Sequence, residues 1–441
     1  MTTPTNSSAA TLEKLVALCK RRGFVYQSAE IYGGLNGVYD FGHLGYLLKE
    51  NIKQSWKQAI TTTEPNIVFL DGSLLGAADV WKASGHVEHF SDPMVDCMNC
   101  KHRYRTDDVD LERACPHCGK KAWTAARQFN MMFQTNLGAA ADQASVAYLR
   151  PETAQSIFIN FKNVLSTYRV KVPFGIAQIG KAFRNEITPK QFLFRMREFE
   201  QMELEWFCKP ENSAYYFERW SQARKDFFSS IGINPERIRL RPHEKNELSH
   251  YSVACNDVEY RFPFGWKELE GIAHRGNYDL SQHSKFSGKD LGVYDEETKQ
   301  TYLPDVVESS VGVDRLFLTL LFDAYYEDVV DNETRVVLRF SPKIAPIKAA
   351  IMPLTKKQTE AAEKIYADLR RKGYQIQFDE SGSIGKRYRR QDEIGTPVCF
   401  TYDFDSENDH KVTARNRDTL TQERIAIDQL EQYLDAMLKN R

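Results

Sequence analysis

The sequence predicts an α+β core on a mostly antiparallel sheet flanked by helices, followed by a separate, compact α/β module. Three observations carry that expectation. Residues 183–207, FRNEITPKQFLFRMREFEQMELEWF, alternate polar and apolar side chains on both sides of a loop, the period-two pattern of two half-buried strands. From about residue 345 the pattern changes to strands alternating with helices, the signature of a compact α/β unit. A Cys-rich segment at 97–118 interrupts the core.

Taken in order, a helix is expected from Leu12 to Arg22, and a Gly-rich turn then leads into an amphipathic helix from Leu44 to Ile60. NIVFLDGSLL reads as a strand. A helix and antiparallel strands fill the chain from Leu149 to Phe207, with a further helix at 213–231. Residues 238–320 are strand-rich and run into the apolar helix DRLFLTLLFDAYYED. After a Pro-containing junction come a strand at 348–353 and a helix between N-cap Thr355 and the stop at Gly373. The strand YQIQFD, a basic loop GSIGKRYRRQDE, the strands TPVCFTYD and KVTARN and a closing helix QERIAIDQLEQYLDAMLK complete the chain. The expected division is a tail at 1–11, a core at 12–335 with an insert at 95–122, and a terminal module at 345–441.

Within the hairpin, Gln178, Arg184 and Glu186 share one face of the first strand, while Ile179 and Phe183 point the other way. On the second strand Arg195, Arg197, Phe199, Gln201 and Glu203 share a face, backed by Met196, Met202, Leu204 and Trp206. The apolar side needs a core. The other side offers charges of both signs around an aromatic ring, which suits a ligand carrying phosphates and an amine.

The chain has 441 residues, 42% hydrophobic and 27% charged, with a formal net charge of −1. That is an ordinary globular composition, and any nucleic acid must be met by local patches rather than a global basic field. No apolar run is long enough to span a membrane, and MTTPTNSSAATLEKL lacks the apolar core of a signal peptide. Eight Cys without such a signal indicate a reducing compartment, the cytoplasm by default, where paired Cys bind metal more often than they form disulfides.

CMNC at 97–100 and CPHC at 115–118 are separated by 14 residues. Four thiolates at this spacing suit a tetrahedral, structural Zn²⁺ held by Cys97, Cys100, Cys115 and Cys118, with no coordination position left for a substrate. Cys19, Cys208, Cys255 and Cys399 are scattered and read as packing residues. No G-x-x-x-x-G-K-[ST] loop is present, and no G-x-G-x-x-G opens a helix after a strand. A bound nucleotide would therefore rely on guanidinium groups, for which Arg184, Arg195 and Arg315 are the candidates. Glu186, Glu268 and Glu308 are carboxylates able to hold Mg²⁺ between phosphates.

FRNE, a loop and FRMREFEQME resemble motif 2 of the class II aminoacyl-tRNA synthetases, and GVDR resembles motif 3. EIYGGLNGVYDFGHLG, WKASGH, LRPETAQSIFINFKNV, PFGIAQIGKAFRNEITPK and GKRYRRQDEIGTP narrow the likeness to the single-chain, homodimeric glycyl-tRNA synthetases, from about residue 12 to the C-terminus. The resemblance departs at His43, where Pro is usual, at Ser156, where Gly is common, and at Ser309, often Pro or Thr.

The resemblance implies that ATP and glycine react on the hairpin floor, giving glycyl-adenylate and pyrophosphate before transfer to the terminal ribose of tRNA(Gly). Arg184, Glu186 and Arg315 would be the catalytic groups. Arg184 would grip the α-phosphate and the glycine carboxylate, Phe199 would stack on adenine, and Arg195 and Arg315 would hold the bent γ-phosphate. Glu186 would meet the adenine amino group or a metal. Further nucleotide contacts would come from Asn185, Phe194, Glu268, Leu269, Gly312 and Asp314, with Mg²⁺ on Glu268 and Glu308. Glycine would meet Glu152, Glu203 and Ser310 through its ammonium, with Arg105, Phe199, Gln201 and Glu308 around it. The terminal module would read the anticodon arm, with Lys386, Arg387, Arg389 and Arg390 grouped around Tyr388 for phosphate contact and stacking. Two alternatives stay open: a synthetase-like protein that does not charge tRNA, and an enzyme for serine, alanine or threonine.

Overall fold

The structure, a computed structural model, describes residues 10–138, 145–249, 251–330 and 332–439; the tail expected at 1–11 lies, but for its last two residues, outside them. The first helix spans Leu12–Arg22, where Thr11 accepts the Lys14 N–H at its start and Gly23 closes it with φ 74°. The amphipathic helix expected at 44–60 runs from His43 to Thr63.

The centre of the molecule is a seven-stranded sheet. Its strands lie in the order Ile238–Pro242, Ala254–Phe262, Gly265–Gly276, Asp305–Gly312, Glu198–Cys208, Phe174–Phe183 and Ile67–Phe69. All pairs are antiparallel except the last. The two strands of the hairpin pair in a register that sets Gln178 opposite Glu203 and Ala182 opposite Phe199, so the two-faced reading holds for the paired stretch, whereas Arg184, Glu186, Arg195 and Arg197 lie in the connection beyond the strand ends. Met202, Leu204 and Trp206 face one core, built with helices His43–Thr63, Ser213–Ser230 and Val313–Ala324. On the other face helix Ala154–Tyr168 packs Ile157, Phe158 and Phe161 on Phe174, Ile176, Phe207 and Val306. That helix covers only part of the face, and the remainder carries polar side chains.

The Cys-rich insert adds a three-stranded sheet of Arg103–Arg105, Ser91–Asp96 and Arg127–Asn130. The terminal module has its own five-stranded sheet and its own apolar core, in which Ile351, Leu369, Phe400 and Leu434 meet. Arg335, 1% exposed, ties the module to the core by pairing with Asp328 and Asp392, and Arg415 grips Asp392 bidentately at 2.9 Å. Among the described residues no helix is long and apolar enough to cross a membrane.

Three expectations on secondary structure need correction. The apolar helix at 314–328 ends at Ala324, because Tyr325–Val330 pairs as a strand with Glu333–Leu338, where aromatic and β-branched residues suit a pleated edge. The closing segment begins as a strand, Gln422–Ala426, passes through a 3-10 turn at Ile427–Gln429, and is α-helical only over Leu430–Lys439. The basic stretch read as a loop is an 11-residue helix, Ile384–Ile394, closed by Gly395 with φ 83°. Its inward residues Arg387, Gln391, Asp392 and Ile394 recur at helical spacing, a pattern masked by the charges that made it resemble a solvated loop.

Candidate active site

Arg105, Arg184, Glu186, Phe194, Arg195, Phe199, Gln201, Glu268, Leu269, Ser310, Gly312, Asp314 and Arg315 line one cavity of about 410 Å³ on the polar face of the sheet. They come from four strands, the start of helix Val313–Ala324 and the connection between the two hairpin strands, so sheet register, helix start and hairpin connection together make the site. Four side-chain atoms among these residues are buried without a hydrogen-bond partner: Arg105 Nε, Glu186 Oε2, Arg195 Nη1 and Gln201 Oε1. Buried polar atoms are almost always partnered, and here all four belong to residues facing one void.

Arg184 lies between two aromatic rings, 5.3 Å from the centroids of Phe90 and Phe199, while its Nε donates to Pro151 O at 3.1 Å. Its position is therefore fixed without a carboxylate partner, leaving the cation to polarise a ligand. Arg315 stacks on Phe194 at 4.6 Å and pairs with Glu268 at 3.3 Å. Burial pushes the Glu186 carboxyl above its ordinary value, against the pull of Arg195 and Arg184.

Some expected nucleotide contacts have other duties. Asp314 accepts Lys49 Nζ and the Glu200 N–H, both at 2.7 Å, and so pins the helix start to the sheet. Asn185 donates its backbone N–H to Met131 O at 2.7 Å rather than lining the cavity. Arg197, expected on the ligand face, donates to the carbonyls of Glu186 and Asn36. At Gly312 an added Cβ would make only ordinary contact with Arg315, so any demand for glycine there comes from the ligand side.

Behind Ser310 the cavity ends in carboxylates. Glu203, 3% exposed, accepts the Thr153 N–H at 2.9 Å and the Thr153 hydroxyl on Oε2, and Ser310 Oγ at 2.7 Å and Gln201 Nε2 at 3.0 Å on Oε1. Burial, then the like charge of Glu152, raises its pKa, and the hydrogen bonds and Arg184 oppose that rise. For Glu152 burial also favours the neutral form, but His86, Arg275 and Gln155 outweigh it and hold the carboxyl below its usual range. Glu308 accepts Arg275 Nη1 at 2.8 Å, and burial with its acidic neighbours lifts its pKa to about 7.

Glu308 and Glu268 do not meet. Glu308 faces Ala273 across the sheet, five residues from Glu268 and so about 16 Å along the strand, and it is engaged by Arg275. Of the two carboxylates expected to hold Mg²⁺, only Glu268 lines the cavity, and the two are too far apart to share one ion.

Sequence reasoning missed the buried frame around these groups. Arg150 donates to Lys181 O at 2.7 Å and Gly72 O at 2.8 Å, and a Cβ on Gly180 would run into its guanidinium. Gln155 Nε2 bridges Glu152 and Asp279, both at 3.1 Å, and Arg275 links Asp279 to Glu308. His86 stands 3.3 Å from Glu152, and Glu205, fully buried, lies opposite Glu308. Arg150, Thr153 and Gln155 sit inside LRPETAQS and His86 inside WKASGH, so those motifs carried a usable signal. Arg275 had none, because only the fold brings it to Glu308.

In the insert, Cys97 and Cys118 sulfurs lie 3.6 Å apart, Cys100 and Cys115 sulfurs 3.7 Å apart, and all four Sγ atoms lie within 4.8 Å of one another. Four ligands at the usual Zn–S length of about 2.3 Å stand about 3.8 Å from each other in a tetrahedron, so the donor set fits zinc.

The basic helix divides its cations. Lys386 and Arg389 line an outer cavity with Arg22 and Ser383. Arg390 is bound to Asp379 at 2.8–2.9 Å. Arg387, 6% exposed, donates to the carbonyls of Gly382 and Pro353. Tyr388 meets Thr401 Oγ1 at 2.6 Å and lies under Arg415. Arg387 and Tyr388 therefore hold the module together and are not offered for phosphate contact and stacking, which corrects that expectation.

Two family models match the chain. The tRNA synthetase class II core domain (G, H, P, S and T) matches residues 133–331, and the anticodon binding domain matches residues 348–437. The chain is 53% identical to the glycine–tRNA ligase of Caldanaerobacter subterraneus subsp. tengcongensis, covering 97% of this chain and 99% of that one. It is 50% identical to the glycine–tRNA ligase of Geobacillus thermodenitrificans, covering 97% of each. Among solved structures it resembles prolyl-tRNA synthetase from Cryptosporidium parvum complexed with L-proline and AMP. That match has a TM-score of 0.68 and 14% identity over 99% of this chain and 77% of that one, a likeness of fold.

Proposed function

The chain belongs to the glycine–tRNA ligases, class II synthetases by fold, and from that premise we propose how its residues divide the work. The reaction is the ATP-dependent attachment of glycine to tRNA, through an adenylate and with release of pyrophosphate. No covalent bond to the enzyme is needed, so catalysis is positioning plus electrostatics at an in-line displacement.

One observation supports the division best. The carboxylate pocket closed by Glu203 and Ser310 adjoins the cavity that Arg184 lines, so one small molecule bearing an ammonium and a carboxylate can span them. Glu152, Glu203 and Ser310 take the ammonium, with Glu308 behind them. Arg184 takes the carboxylate and the α-phosphate and stabilises the charge that develops between them. Gln201 and Phe199 border the glycine, and Arg105 reaches the same cavity from the insert. Phe199 and Phe194 offer faces to adenine, Glu186 an acceptor for its amino group, and Arg195 and Arg315 the cations for the outer phosphates. Mg²⁺ accompanies ATP in class II synthetases, and Glu268 would hold it, where the ion would neutralise charge between phosphates.

Residues 12–335 form the catalytic part and 345–441 the anticodon-binding part, with Lys386 and Arg389 the cations best placed for tRNA. The four insert cysteines hold a structural Zn²⁺. The working state we expect is a cytoplasmic homodimer, on the family resemblance. The test is glycine-dependent ATP–pyrophosphate exchange. Arg184→Ala loses it by on the order of several kcal/mol in the transition state while the fold survives. Exchange undiminished in the folded mutant removes Arg184 from its role.

A further inference from the structure

The segment between Trp81 and Phe90 touches both ends of the glycine site. Phe90 stacks on the Arg184 guanidinium at 5.3 Å. His86, a turn earlier, points Nε2 at Glu152 Oε2 from 3.3 Å, with the side chain 10% exposed. Its other ring nitrogen, Nδ1, lies 2.8 Å from Ser84 Oγ, itself in a buried side chain. The imidazole is slotted between Trp81 and Phe90, with ring centroids 5.4 Å away on each side. From below, Asn130 Nδ2 donates to the carbonyls of His86 and Val87 at 3.2 and 2.9 Å. The segment is therefore fixed on both faces.

Hydrogen-bond capacity settles the direction of the relay. An ionised carboxylate only accepts, so Nε2 must carry the proton that faces Glu152. In the neutral ring Nδ1 then accepts, and the Ser84 hydroxyl donates to it. In the imidazolium both nitrogens donate, and Ser84 can turn its proton to Trp81 O at 3.3 Å. Either way Nε2 is the donor. The other Glu152 oxygen, Oε1, accepts Gln155 Nε2 at 3.1 Å, so both oxygens of this carboxylate are aimed by neighbours.

We propose that His86, oriented by Ser84, is a positioning residue for glycine recognition that fixes the Glu152 carboxylate at the angle the ammonium requires. The inference rests on the reading that Glu152 meets the ammonium. His86 touches no substrate. Its loss leaves Glu152 held through one oxygen only, by Gln155, weakening glycine binding without disturbing the ATP cavity, whose lining residues do not include His86.

The test measures the KM for glycine and for ATP in pyrophosphate exchange for His86→Phe, His86→Gln, His86→Ala and Glu152→Gln. His86→Phe keeps a ring in the slot but removes the donor, and raises the glycine KM about tenfold or more with the ATP KM near wild type. His86→Gln restores a donor and recovers much of the loss. Free imidazole lowers the glycine KM of His86→Ala, a rescue that a merely structural role would not produce. A wild-type glycine KM in His86→Phe, beside a raised one in Glu152→Gln, overturns the inference alone. A wild-type glycine KM in Glu152→Gln overturns the pocket reading and the inference with it.

Discussion

Glu205 has no exposed surface, and neither of its carboxyl oxygens has a hydrogen-bond partner. Burial first, and then the like charge of Glu308 opposite it, raise its pKa well above the ordinary carboxyl value of 4.5. Folding therefore favours the protonated form. The stability this group contributes is complete below its unfolded value and is lost as pH rises through its folded value; Glu308, at about 7, acts in the same direction. Glu205→Gln mimics the neutral acid and should equal wild type in thermal stability below about pH 4, where the carboxyl is protonated in both states. It should exceed wild type at pH 8, by on the order of 1–3 kcal/mol. A gap that shrinks as pH rises would contradict this. The same residue shows what the sequence conceals. Arg184, Arg195 and Arg315 could be singled out as candidates because phosphate recognition without a glycine-rich loop calls for guanidinium groups, and Glu203 only through the family resemblance of its motif. Glu205, Arg275 and Asp279 were not, because their role is set by the sheet register and by helix Tyr278–Ser287, which bring them together from distant parts of the chain.

At the scale of the element, the helix Ile384–Ile394 carries two kinds of arginine that sequence alone did not separate. Arg387→Ala removes a buried cation and leaves the carbonyls of Gly382 and Pro353 without their donor. It should destabilise the terminal module by about 3 kcal/mol, read by chemical unfolding. Lys386→Ala with Arg389→Ala should leave stability near wild type and raise the tRNA KM, with the loss largest at low salt and shrinking as salt increases; glycine-dependent pyrophosphate exchange should not change. Exchange falling in parallel with charging would contradict that separation. The insert gives the other test. Its cysteine spacing was legible because four thiolates must converge on one ion, and the sulfurs do converge. Metal analysis of protein purified without chelator should find about one zinc per chain, and Cys97→Ser should lose it. Full charging activity with clearly substoichiometric metal would contradict a structural role. Element boundaries were less legible at 314–328, 382–393 and 422–439, where strand pairing and packing in the fold overrode local composition.

For the whole molecule, the order of parts was readable because each changes the chain's periodicity: alternation in the catalytic sheet, paired cysteines in the insert, alternating strands and helices at the end. The joint between core and module was not readable. Arg335, Asp328, Asp392 and Arg415 form a buried ionic joint whose two halves, one in the hairpin and one in the module, lie far apart in sequence and resemble ordinary surface charges until the two parts meet. That joint seats the module against the hairpin Tyr325–Leu338, which continues directly from the helix carrying Arg315. The central claim nevertheless belongs to the catalytic face: its carboxylate pocket and its guanidinium groups together select glycine and activate it on ATP. The most direct measurement is amino-acid-dependent ATP–pyrophosphate exchange by the full-length protein, with glycine, alanine, serine and threonine offered separately. Exchange with glycine, and none above background with the other three, is the predicted result. Robust exchange with alanine or serine, or none with glycine, would contradict the account.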